Sequence, residues 1–86
     1  MRGKIIGYIV VSKDDRPMEA GKNMDDGKVC LFHGGEATLF ANREQARRRI
    51  ENSVNYGKRS GFPAWVETGE ATIWPVVRLR KAGRQA

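Results

Sequence analysis

Cysteine, histidine and long apolar runs are scarce in this 86-residue chain, and each scarcity removes a class of function. Cys30 is the sole cysteine, so no disulfide can form within the chain. Small folds of oxidising compartments usually carry several paired cysteines, so a lone thiol suits a reducing one, and the expected location is the cytoplasm. His33 is the sole histidine. Nucleophilic catalysis of the Ser-His-Asp or Cys-His kind needs a base within hydrogen-bond reach of its nucleophile. Cys30 lies three residues from His33, an odd spacing that turns the two side chains to opposite faces of a regular strand. The same spacing argues against a shared metal. The longest apolar stretch, Ile5 to Val11, is seven residues and includes Gly7 and Tyr8, too short to span a membrane as a helix. It follows Arg2 and Lys4 in the manner of a signal peptide, but the polar cluster Ser12-Lys13-Asp14-Asp15 stands where a cleavage site would lie, and a strand is the better reading.

Cofactor motifs are missing as well. Gly21 to Lys28 approaches a phosphate-binding loop, yet it has five residues between the glycines where four are needed, and valine follows the lysine in place of Ser or Thr. Asp14, Asp15, Asp25 and Asp26 form two adjacent pairs, not the alternating ligand series of a calcium loop, and turn formation explains them. The expectation is a non-enzymatic protein with no cofactor, no metal and no catalytic residues.

What is present reads as one α+β domain over residues 1–80 with a basic, disordered tail at 81–86. Ile5 to Val11 has apolar groups on both faces of a period-two pattern and predicts an interior strand. Lys13 to Pro17 is turn chemistry, and Gly21 to Gly27 a loop. Lys28 to His33, the pair Gly34-Gly35 and the run Glu36 to Phe40 predict a hairpin. Asn42 as N-cap, Gln45 three residues on and Glu44 in the first turn predict a helix from Arg43. Ala46, Ile50, Ser53 and Val54 form its apolar stripe, and Gly57 suggests a stop just after Tyr56. Ala64 to Glu67 and Ala71 to Arg80 read as strands around a Thr68-Gly69 turn, the last one an edge or bulged strand because Pro75 has no N–H to donate. The order β-β-β-α-β-β predicts a single antiparallel sheet with one helix packed on one face. In so small a domain, Tyr8, Phe40, Trp65 and Trp74 are expected in the core, leaving Tyr56 and Phe62 exposed.

Charge gives the functional lead. Residues 1–42 hold six Lys or Arg against six Asp or Glu, whereas residues 43–86 hold ten against four, so the whole net charge of +6 lies in the second half. A segregated basic excess suits an anionic partner. Arg43, Arg47, Arg48 and Arg49 crowd the helix, and Lys58 and Arg59 extend the patch. Tyr56 and Phe62 interleave with it as stacking candidates, and Arg78, Arg80, Lys81 and Arg84 carry the field to the C-terminus. The bland alternative is a solvated face, because Glu44 with Arg48 and Arg47 with Glu51 are i,i+4 pairs.

The segment Ala37-Thr38-Leu39-Phe40-Ala41-Asn42-Arg43-Glu44-Gln45-Ala46, with Trp74 to Leu79 at the end, resembles short uncharacterised proteins of bacteria and their phages or prophages. The likeness is to a strand, a capped helix and a final strand, and it transfers no residue role. It implies an accessory protein that binds a host complex, including the small inhibitors phages aim at bacterial defence systems. Two functions remain open. One is a module that contacts nucleic acid or a nucleoprotein complex through the basic helix and tail. The other is a protein-binding inhibitor or adaptor that uses an exposed sheet edge or apolar patch.

Overall fold

The computed structural model describes residues 3–79, so Arg80, Lys81, Arg84 and the expected tail lie outside the described residues. Strand β1 (Gly3–Val11) forms as its β-branched run predicts, and β4 (Thr72–Leu79) returns antiparallel to it from the far end of the chain. The register slips by one residue between Ile5 and Gly7, a bulge that bends the ribbon. A second ladder pairs β2 (Glu19–Lys22) with β3 (Val29–Phe32). Main-chain bonds join the two ladders, Met18 N–H donating to the Val10 carbonyl at 2.9 Å beside a Val11–Pro17 bridge. The architecture is α+β, one curled antiparallel sheet of four strands with the long helix α1 (Arg43–Ser60) against it.

The hairpin lies one strand earlier than its glycine pair suggests. Its turn is Asn23 to Lys28, where the Asn23 and Asp26 carboxamide and carboxylate oxygens accept from the Asp25 and Lys28 amides, and Gly27 takes φ of 74°. Gly34 and Gly35 open a loop instead. The run after them crosses to β1, where Phe40 exchanges both main-chain bonds with Tyr8 at 2.7 and 2.8 Å. Thr38 fixes that crossing, since its hydroxyl accepts from the Ala20 amide at 2.8 Å.

Helix α1 starts where the cap predicts: Asn42 Oδ1 accepts from the Gln45 amide at 2.9 Å, and Gln45 Oε1 accepts from Ala41 N–H at 3.2 Å. It ends later than predicted, at Gly61 in the left-handed region (φ 79°). Gly57 is no stop. It is buried inside the helix because a Cβ there would stand 2.6 Å from the Cβ of Trp65. Trp65 belongs to a short helix, α2 (Pro63–Val66), which runs into a 3-10 turn over Glu67–Glu70, so the strand expected at Ala64 to Glu67 and the turn at Thr68-Gly69 are both helical. Pro63 at the first helical position, with φ preset, outweighs the strand preference of Trp and Val there.

The core is Val10, Met18, Leu31, Phe40 and Ala46, with Ile50 and Ile73 packed on it. Helix α1 is fastened to the free edge of β3 by side chains: Ser53 Oγ accepts from Leu31 N–H at 2.8 Å, and Asn52 Nδ2 donates to the Val29 carbonyl at 3.0 Å. Ser53 is fully buried and also donates to the Arg49 carbonyl at 2.8 Å. Ser53→Ala strands the buried Leu31 amide, and such a loss costs about 1–3 kcal/mol. We expect thermal unfolding to show a fall of roughly 4–8 °C per kcal/mol for a domain of this size; an unchanged melting temperature would mean that the amide finds water.

Candidate functional site

The arginines of α1 do not form one patch. Arg43 turns to the sheet, its guanidinium 4.9 Å from the Tyr8 ring centroid and 3.4 Å from the Ile73 carbonyl oxygen. Arg47 and Arg48 face solvent and share Glu44, at 3.0 and 3.4 Å, so Arg47 pairs backwards and not with Glu51. Arg49 is half-buried. At the other end of the helix Lys58 is exposed, while Arg59 is bound to Asp26 of the β2–β3 turn and lies 5.8 Å from the Tyr56 ring. The helix thus divides its six cations between one against the ribbon, three in solvent, one half-buried and one held by the hairpin.

Tyr56 is not a free stacking platform. Its hydroxyl donates to the Asp25 carboxylate, and its ring meets Trp65 edge-on with centroids 5.3 Å apart. The bond to Asp25 raises the Tyr56 pKa, aided by burial. Asp26 is lowered, chiefly by the Lys28 amide that its carboxylate accepts and further by Arg59. Asp25 and Asp26 therefore latch the helix end to the hairpin as well as building the turn. Phe62 is exposed as expected, Phe40 is buried, and Tyr8 and Trp65 are half-buried. Trp74, expected in the core, is 53% exposed. Cys30 is buried in β3, and His33 is exposed just beyond its end.

The exposure of Trp74 follows from the ladder. Val10 pairs with Ile73 and both pack in the core, so their neighbours Ile9 and Trp74, also paired, face away from it. Gly7 and Val76 form the next pair on this outer face. Leu39 lies over Gly7, where a Cβ would stand 2.6 Å from its Cδ1, and is itself 51% exposed. The result is a continuous apolar surface of Ile9, Leu39, Trp74 and Val76. Beyond the bulge, Ile5, Ile6 and Val77 are exposed as well. The ribbon's charged residues within 3–11 and 72–79 are Lys4 and Arg78, both cations, and they stand directly opposite each other.

The open edge of β4 is closed to strand addition at two points. Tyr8 spends its N–H and C=O on Phe40, so the Tyr8–Pro75 pair has no bonds between its members and Pro75 presents its hydrogen-free nitrogen outward. Two pairs along, the outward carbonyl of Ile73 is met by Arg43. Both are devices that blunt an edge. The usable surface of the ribbon is its face.

Among the described residues no helix is long and apolar enough to cross a membrane, and no three His, Cys, Asp or Glu stand close enough to hold a metal ion. The latch predicts a pH response. A lowered Asp26 pKa means stability that is present above the ordinary aspartate value of 3.8 and lost as pH falls through the lowered one. Melting temperatures measured from about pH 6 down to about pH 2 should fall less in Asp26→Asn than in wild type, the curves converging in acid; parallel curves would remove Asp26 from the latch. Comparison with family profiles, with characterised proteins and with solved structures finds no match to this chain.

Proposed function

We propose that the protein is a non-enzymatic binding module, an inhibitor or adaptor that holds a protein partner on the outer face of the β1–β4 ribbon. The observation that carries this reading is Trp74, half-exposed on an apolar face where it pairs with Ile9, with Leu39 lying over Gly7 on the same face. Exposed apolar surface of this kind marks interaction sites, and tryptophan is among the residues that dominate binding energy. The partner's chemistry follows from the ribbon tip. Lys4 and Arg78 directly opposite each other repel, a cost that carboxylates from a partner relieve. The fitting partner presents apolar residues rimmed by acids. Arg47 and Arg48, exposed on α1, then act at range by speeding encounter. The buried lone thiol suits action in the cytoplasm, and the resemblance to bacterial and phage accessory proteins suits a host complex as target.

Contact with nucleic acid or a nucleoprotein complex is the second reading, favoured by the two-thirds exposure of Arg47 and Arg48 and by the net charge. The two separate in one experiment. Immobilised wild type, Trp74→Ala and the triple variant Arg47→Gln, Arg48→Gln, Arg49→Gln are exposed to bacterial lysate with and without nuclease. Protein binding predicts a captured protein that survives nuclease, loses at least about tenfold in affinity in Trp74→Ala, and in the triple variant keeps its dissociation rate. Capture that vanishes with nuclease or with the triple variant, together with duplex DNA binding whose log affinity falls with log salt by about 0.9 per phosphate contacted, would replace this reading with the second.

A further inference from the structure

A cleft of about 360 Å³ opens between the β1–β2 turn and the α2 and 3-10 segment, well away from the ribbon's outer face. Its volume lies in the range of small-ligand sites. Met18 and Leu31, both buried core residues, supply its floor, and Trp65 supplies a wall. That wall is built deliberately: Gly57 lets α2 approach α1, and the edge of Tyr56 holds the indole from behind. Thr68 also lines the cleft. It is only 6% exposed.

The mouth has the opposite sign to the rest of the chain. Asp14 and Glu67 line it and Glu70 stands beside it, while the full cation there, Lys13, is held by Glu67 at 3.3 Å and Glu70 at 3.8 Å. Three carboxylates to one ammonium leave an acidic mouth on a protein of net charge +6. We infer that this cleft binds an organic cation with an apolar body, a primary ammonium or guanidinium on an alkyl or aryl stem. The stem lies on Met18, Leu31 and Trp65, and the cationic head meets the carboxylates of Asp14 and Glu67 beside the indole, whose face attracts cations. Two sources share this chemistry, a free small amine and a Lys or Arg side chain of a partner protein.

The test uses the intact chain carrying Trp74→Phe, which leaves Trp65 as the single indole. Its fluorescence is titrated with phenethylammonium, with phenethyl alcohol as neutral isostere, with phenylacetate as anion, and with an acetylated, amidated Gly-Arg-Gly peptide. A ligand of this size should saturate with Kd on the order of millimolar. The alcohol should bind at least about fivefold more weakly and the anion should not saturate. Asp14→Asn with Glu67→Gln should raise the Kd of the ammonium about tenfold or more; Asp14→Asn alone, which leaves the Lys13 bridge intact, should raise it about threefold and guards against misfolding of the double variant. Tighter binding of the peptide assigns the guest to a partner's side chain, and tighter binding of the amine assigns it to a free cation. The inference is overturned if neither cation saturates by about 50 mM, if the alcohol or the anion binds as tightly as the ammonium, or if both carboxylate variants bind as wild type does. None of these outcomes bears on the ribbon face.

Discussion

Ser53 holds the fold together. Among the described residues, strand β3 has β2 on one side and no strand on the other, so the Leu31 amide and the Val29 carbonyl would be stranded there. Ser53 and Asn52 meet them from α1. A helix rarely satisfies a sheet edge through its side chains, and doing so fixes both the position and the rotation of α1. That rotation drives Ala46 and Ile50 into the core, turns Arg47 and Arg48 to solvent, and carries Gly57 to the spot where α2 must dock. The same two bonds close an edge that would otherwise invite aggregation.

Among the described residues one long helix covers one face of the sheet, and the outer face of the β1–β4 ribbon stays exposed. Apolar residues on both sides of β1 and β4 therefore leave a surface that folding alone does not explain. The opposed Lys4 and Arg78 and the half-exposed Trp74 cost stability without building core, and the partner binding proposed above would give them a use. Edge and face are treated differently: Pro75 and Arg43 block strand addition at the edge of β4, while the face stays open. Specificity by such selective blocking is a familiar form of negative selection against wrong partners.

Local signals were legible where one residue type decides. The Asn42 and Gln45 cap, the β-branched run of β1 and the edge position enforced by Pro75 all read correctly from the chain. Long-range geometry did not. Gly57 looked like a terminator because its reason for being glycine, the backbone of α2, lies across space. Gly34-Gly35 looked like a hairpin turn because β2, Glu19 to Lys22, is short and polar and gains its strand only by pairing with β3. Tyr56 was expected free because nothing local shows Asp25 beneath its hydroxyl. Trp74 was expected buried on size, yet the α+β order with a single helix already required one sheet face to be bare, and the residue in step with Ile9 across from β1 was the one to ask about. The acidic mouth over Trp65 depends on Pro63 turning an apparent strand into helix, which brings Glu67 and Glu70 to Lys13.

Helix α1 is locked to β3 through side chains, and the open ribbon face and the α2 cleft are both defined against that helix. Native-state amide exchange of the free protein reads this directly. The Leu31 amide, bonded to a fully buried hydroxyl, should exchange only through global unfolding, with the same free energy that denaturant unfolding reports. Exchange of Leu31 at the rate of loop amides, through local opening, would show that the helix is not fastened to the sheet edge and would contradict the account.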